Sequence, residues 1–182
     1  MRHARLIAFI VAIGIVVSAI YIRTRKVVVL SPITTTDLVP VLDVLGSEHS
    51  HASIIISING SLLSLGDDRY MERDLSVHLH DNDSVFIHKH AKGVTLGYFL
   101  NTLGIELTKD CLSVDSKQYC SGNDGILTVM INRIKLNVGA DAYEIRDQDK
   151  ILIDYSMSSG FDLMLLANSI PDLTDDLLNG VE

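Results

Sequence analysis

The sequence predicts an α+β fold: a β-grasp-like mixed sheet with one packed helix, preceded by an N-terminal transmembrane helix. Three observations predict it. The stretch Leu6–Ile22 is apolar and uncharged, and basic residues flank it on both sides. Short β-branched runs separated by turn residues follow, at strand spacing. Among them lies one segment with helical periodicity, so the order is hairpin, hairpin, helix, further strands, which suits one helix laid across a mixed sheet.

Taken in order, residues 1–26 form an N-terminal membrane anchor or signal peptide. A bilayer span needs about 20 residues (range ~17–25), and the run sits near the lower limit. A signal peptide would be cleaved near Val17-Ser18-Ala19. The apolar run continues beyond Ala19 and ends at Arg23, Arg25 and Lys26, which favours a retained anchor. Residues 27–48 read as a stalk or linker, with "SPITTT" its most linker-like part.

The domain proper spans 49–156. "ASIIISINGSLLSLG" is a strand, an Asn59-Gly60 turn and a second short strand, because Asn-Gly between apolar runs is a strong hairpin signal. "LSVHLH" and "VFIHKH" form a second hairpin around "DNDS". A helix follows, capped by Thr95, with Leu96, Phe99, Leu100 and Leu103 on one face and Gly104 as its stop. "CLSVDSKQYC" reads as a polar loop. "GILTVMINRIKLNV" is a strand or hairpin, and "DQDKILIDYS" is the last strand. In 157–182, Ser159 and Asp162 resemble a capping box for a short helix, and an acidic tail follows.

Charge separates the chain into two parts. The first 26 residues hold five Lys/Arg and no acid. The remainder therefore carries ten basic and 23 acidic residues, a net of −13. Such a domain is repelled by nucleic acid and attracts cations. Cys111 and Cys120, the two cysteines, form a local pair that reads as a disulfide worth about 2–3 kcal/mol. The basic residues after the apolar run lean toward a cytoplasmic domain. The cysteine pair leans the other way and is given more weight, which predicts a single-pass cell-membrane protein with an extracytoplasmic domain.

The chemistry-bearing pattern lies in the histidines. Six of seven fall in His-x-His pairs: His49 and His51, His78 and His80, His88 and His90. On a strand, residues i and i+2 share a face, about 6.6 Å apart, so one pair can close on one metal ion. Parity extends the argument. Leu75, Val77, Leu79, Val85 and Ile87 make an odd-numbered apolar face, and the four histidines of this hairpin are all even. Ala52, Ile54, Ile56 and Ile58 make the apolar face of the first strand, and His49 and His51 take the other, with Ser53 and Ser57. Ile55 is the exception. All three pairs thus point away from the core faces and can converge. Glu48, Asp81 and Asp83 are near enough to add carboxylates, and Glu48 and Asp83 are candidate general bases. Tyr98 and Tyr119 read as packing residues.

Imidazoles suit Cu and Zn, so the expected cofactor is a Zn or Cu ion held by these six histidines for capture or delivery. Two other functions fit the same residues. One is a metal-dependent enzyme whose ion keeps an open position. The other is a cell-surface interaction module in which the histidines are structural or pH-sensing and the acidic tail meets a protein partner. The sequence lacks Cys-x-x-Cys, His-Glu-x-x-His, a P-loop and Gly-x-Ser-x-Gly, and no catalytic residue is marked.

The string "HSHASIIISING … VHLHDNDSVFIHKHAKGVTLGYFLNTLGIELTKDC … YC … KILIDYS" resembles a group of archaeal membrane-anchored proteins. They share a short anchor, three His-x-His pairs, a Cys pair and a final I-L-I-x-Y strand. The resemblance covers roughly 49–156. Members are often labelled protein-disulfide isomerase, an activity whose redox motif is missing here. Lys89 stands where a β-branched residue is more usual in the group, which predicts an exposed edge at that strand.

Overall fold

The computed structural model describes residues 42–79, 85–137, 139–158 and 160–173, all within one unit, Val39–Glu182. The apolar run 6–22, His80, Asp81, Asp83, Ser159 and the tail 174–182 lie outside the described residues. Among the described residues no helix is long and apolar enough to cross a membrane. The fold is mixed α+β, mostly sheet, with two α-helices among the described residues.

Strand β1 (Ser50–Ile58) is the longest and organises the rest. Asn59 and Gly60, both at positive φ, turn it into β2 (Ser61–Leu62). A single 3-10 turn, Asp68–Tyr70, precedes β3 (Val77–His78), which pairs antiparallel with β4 (Phe86–Lys89). Helix α1 (Leu96–Thr102) follows. Then come β5 (Glu106–Leu107), β6 (Cys111–Val114), β7 (Lys117–Cys120), β8 (Ile126–Ile131), β9 (Ile134–Leu136) and β10 (Lys150–Ser156), and last α2 (Gly160–Asn168). The large sheet has the order β3-β4-β1-β10-β8-β9, with β2 paired to β1. β1 and β10 run parallel, and the other pairs of this sheet are antiparallel.

One face of this sheet carries the main core. Ala52, Ile54 and Ile56 pack there with Ile87, Ile151, Ile153 and Val129, under Leu96, Phe99 and Leu100 of α1. Thr95 caps α1, its Oγ1 accepting from the Tyr98 N–H at 3.1 Å. The carbonyls of Tyr143 and Asp141 accept from the Leu96 and Gly97 N–H groups, so the first-turn donors are satisfied. A Cβ at Gly97 would stand 2.8 Å from the Asp141 carbonyl oxygen, which is why this position takes no side chain.

The opposite face is divided. Ile55, Leu152 and Met130 lie directly across three strands, and Ala167 of α2 and Ile170 cover them. This explains Ile55, whose parity breaks the polar pattern of its face: α2 supplies a second apolar layer there. The next row, Ser57, Asp154 and Thr128, is buried and polar. Asp154 accepts from the Ser156 hydroxyl at 2.5 Å. Ser57 Oγ is buried without a hydrogen-bond partner among the described residues.

Three readings change with the structure. "CLSVDSKQYC" is not a loop but the β6–β7 hairpin, turned by Asp115 and Ser116 at positive φ, in a separate sheet of order β5-β6-β7. Cys111 and Cys120 face each other across it and are disulfide-bonded. Leu75 is 76% exposed, because the regular pairing of β3 begins two residues later. Lys89 is 2% exposed, because β4 is an interior strand between β3 and β1 and its odd positions face the core.

Leu152→Ala should lower the unfolding free energy by about 2–4 kcal/mol, because it opens a cavity under α2. Leu75→Ala should change it by less than about 0.5 kcal/mol. Urea unfolding of both variants checks this, and equal effects would contradict the two-layer packing.

Candidate metal centre

The site begins with strand register. His51 on β1 stands directly opposite His88 on β4, and His88 stands opposite His78 on β3. Three imidazoles therefore form one row across three adjacent strands. His90 lies two residues beyond His88, where its N–H donates to the Ser76 carbonyl at 2.8 Å and continues the pairing. His49 precedes His51 by two.

The five rings close a loop. Centroids are 4.8 Å apart for His51–His88, 5.0 Å for His49–His51, 5.1 Å for His49–His90, 5.1 Å for His78–His90 and 6.0 Å for His78–His88. Metal–nitrogen bonds of ~2.0–2.1 Å at tetrahedral angles place two ring centroids about 5 Å apart. Four of the five neighbouring pairs meet that spacing. The His78–His88 pair is wider and its rings are nearly parallel, at 5°. Among the described residues no set of three or more His, Cys, Asp or Glu groups already stands at ion-holding geometry. Capture of an ion therefore requires these imidazoles to rotate about their side-chain bonds.

Burial differs around the loop. His51 is 6% exposed, His78, His88 and His90 are half-buried, and His49 is exposed. Burial lowers the His51 pKa, nearby His49 lowers it further, and Asp147 opposes both. The shift favours the neutral form of His51, the form in which an imidazole can bind a metal. Its backbone is fixed as well. The His51 N–H donates to Asp147 Oδ1 at 3.0 Å, and its carbonyl accepts from the Gln148 N–H at 2.7 Å. Buried Asp149 locks that turn, accepting from Asn132 Nδ2, the Tyr143 hydroxyl and the Arg146 N–H. Burial first, and then Asp149, push the Tyr143 hydroxyl up to about 12.

His78 is oriented by a different device. Its Nδ1 lies 2.9 Å from the Asp74 carbonyl oxygen. A carbonyl only accepts, so Nδ1 carries the proton in this bond and Nε2 holds the lone pair for a metal. Asp74 is itself pinned. Its Oδ1 accepts from the Ser76 N–H at 2.7 Å and its Oδ2 from the Tyr98 hydroxyl at 3.0 Å. Tyr98 therefore does more than pack: it ties α1 to the turn that orients His78.

Beneath His88 and His90, Lys89 points to the opposite face. Its Nζ donates to the Ile145 carbonyl at 2.7 Å, and it pairs with Glu48 at 2.9 Å and Glu144 at 3.6 Å. Glu144 is held below the usual carboxylate range by the Gly93 N–H and, less strongly, by Lys89. Glu48 also accepts from Ser50 Oγ. Its contacts are thus with Lys89 and Ser50.

The structure thus brings together His49, His51, His78, His88 and His90. Asp74 and Asp147 are supporting residues absent from the sequence reading, and Tyr98 and Lys89 are ones it assigned to packing and to an exposed edge. Lys89 alone had a usable signal, since its odd parity matches Ile87. No protein family, curated protein or solved structure matches this chain.

Tyr98→Phe should weaken Cu(II) affinity about tenfold, the scale of losing a group that orients a ligand, and should cost no more than about 1–2 kcal/mol of stability. Unchanged affinity by competition titration would remove Tyr98 from the site. In the metal-free protein, the lowered His51 pKa means that the unfolded chain takes the proton first as pH falls. Its contribution is complete above about pH 6.5 and is lost as pH falls through the lower folded value. Urea midpoints between about pH 7.5 and 5.5 should therefore fall less steeply for His51→Gln than for the parent. Parallel slopes would contradict the assignment.

Proposed function

We propose that this chain is a membrane-anchored protein whose extracytoplasmic, β-grasp-like domain binds a transition-metal ion, Cu or Zn, for capture or delivery. The carrying observation is the closed loop of five imidazoles on one sheet face, with neighbouring centroids 4.8–6.0 Å apart. His49, His51, His78, His88 and His90 would hold the ion, and His80 joins them on its sequence pattern. Neutral His51 and the Nδ1-protonated His78 suit that role. The bound ion would supply a Lewis-acidic centre. The protein's part is to orient the imidazoles and, through its acidic charge, to concentrate cations near them.

The β-grasp reading is supported by the central parallel β1–β10 pair, flanked by antiparallel β4 and β8, with α1 on the core face. The cross-strand disulfide supports an oxidising compartment. The anchor rests on the apolar run 6–22 and its basic flanks.

Elemental analysis of the full chain, with its disulfide intact and after loading with Cu(II) or Zn(II), should find near-stoichiometric metal. The joint variant His49→Ala, His51→Ala, His78→Ala, His80→Ala, His88→Ala and His90→Ala should hold none. Equal metal content in parent and variant would refute the assignment.

A further inference from the structure

We infer that the cleft beside the imidazole loop is a binding site for a small multivalent oxyanion, a polycarboxylate or a phosphate. This goes beyond the metal reading and does not rest on it.

The cleft consists of two adjoining cavities. The larger, of about 490 Å³, is lined by Asn132, Arg133, Gln148, Lys150, Asn168 and Asp172. The smaller, of about 120 Å³, shares Gln148, Lys150 and Asp172 and reaches Ser53. Ser53 follows His51 by two residues on the same face of β1 and stands opposite Lys150. Gln148 is the residue whose N–H holds the His51 carbonyl. The cleft therefore begins where the imidazole loop ends.

Its charge runs against that of the chain. The protein carries a net −8, yet two cations line this cavity. Arg133 is exposed, and no ion pair joins it to another described residue. Lys150 Nζ pairs with Asp172, whose side chain is 91% exposed, and also donates to the Ile170 carbonyl. An exposed carboxylate from the chain thus sits on Lys150 where a ligand's carboxylate or phosphate would sit. Planar guanidinium and point-charge ammonium together suit an anion with more than one charged oxygen group. The Asn168 amide is close by in the same lining.

The backbone sets these groups in place at some cost. Seven non-glycine residues among those described have positive φ, and three of them line this one cavity: Asn132, Arg133 and Gln148. A hairpin turn of this kind favours Gly at its second position, where this chain has Arg133. The Asn132 side chain donates to Asp149 and accepts from the Lys150 N–H, which fixes the turn against β10. Arg133 is therefore presented from a rigid corner beside Lys150.

The test titrates the full chain, freed of metal by dialysis, with citrate and separately with inorganic phosphate, at low ionic strength, by calorimetry. Saturable binding is expected in at least one arm, and the responding arm names the oxyanion. Arg133→Ala should weaken that binding about tenfold. Asp172→Asn should strengthen it several-fold, because the competing carboxylate is gone while the fold is kept. The variant lacking all six paired histidines should bind the anion as the parent does, which separates this site from the metal site. Absence of saturable binding in both arms, or insensitivity to Arg133→Ala, or no gain in Asp172→Asn, or loss of binding with the histidines, would each overturn the proposal.

Discussion

Everything in this structure depends on the alternation of side chains along β1 and β4. Register places His51 opposite His88 and Ala52 opposite Ile87. A slip of one residue would turn the imidazoles into the core and the isoleucines outward. The apolar face therefore enforces the polar one. The burial of Ile54, Ile56 and Ile87 is what holds the rings at contact distance. Core packing thus sets which face the rings take, and Asp74, Tyr98 and Asp147 then orient His78 and His51 on it.

Lys89 shows how firmly that alternation is held. An ammonium at a fully buried position is costly unless it is paired and hydrogen-bonded. Here two glutamates and a carbonyl supply both. The same contacts tie β4 to the segment around Ile145, and so to the turn that grips His51. Charge neutralised on one face thus steadies the imidazoles on the other. The face that carries the rings is also shared. Its far part lies under α2, and its near part is left to the imidazoles and the adjoining cleft.

Local signals in the sequence carried much of this. The Asn59-Gly60 turn, the Thr95 cap, the Gly104 stop and the parity of the histidines were all readable, because each depends on neighbours within a few residues. The β-hairpin between the cysteines was not, since its turn is built from Asp115 and Ser116 at positive φ without a glycine. Ile55 was legible only as an anomaly, because the helix that buries it lies more than a hundred residues away. The role of Asp147, 96 residues from His51, and the bond from Tyr98 to Asp74 were likewise not legible. Both act on the site through contacts that tertiary folding creates, and no periodicity announces such contacts.

The central parallel pair has a kinetic consequence. The imidazole-bearing strands β1, β3 and β4 all precede α1 in the chain, and their pairings close shorter loops than the pairing of β1 with β10. The grip on His51 joins residues 96 positions apart. Closure entropy rises with loop length, and contacts of long sequence separation slow folding. The ring-bearing strands can therefore associate while β10 is still unplaced. During synthesis, a chain emerging N-terminus first exposes all six paired histidines well before the strand that completes the sheet exists. The ring-bearing face is thus laid down in the chain before the contact that fixes the His51 backbone can form.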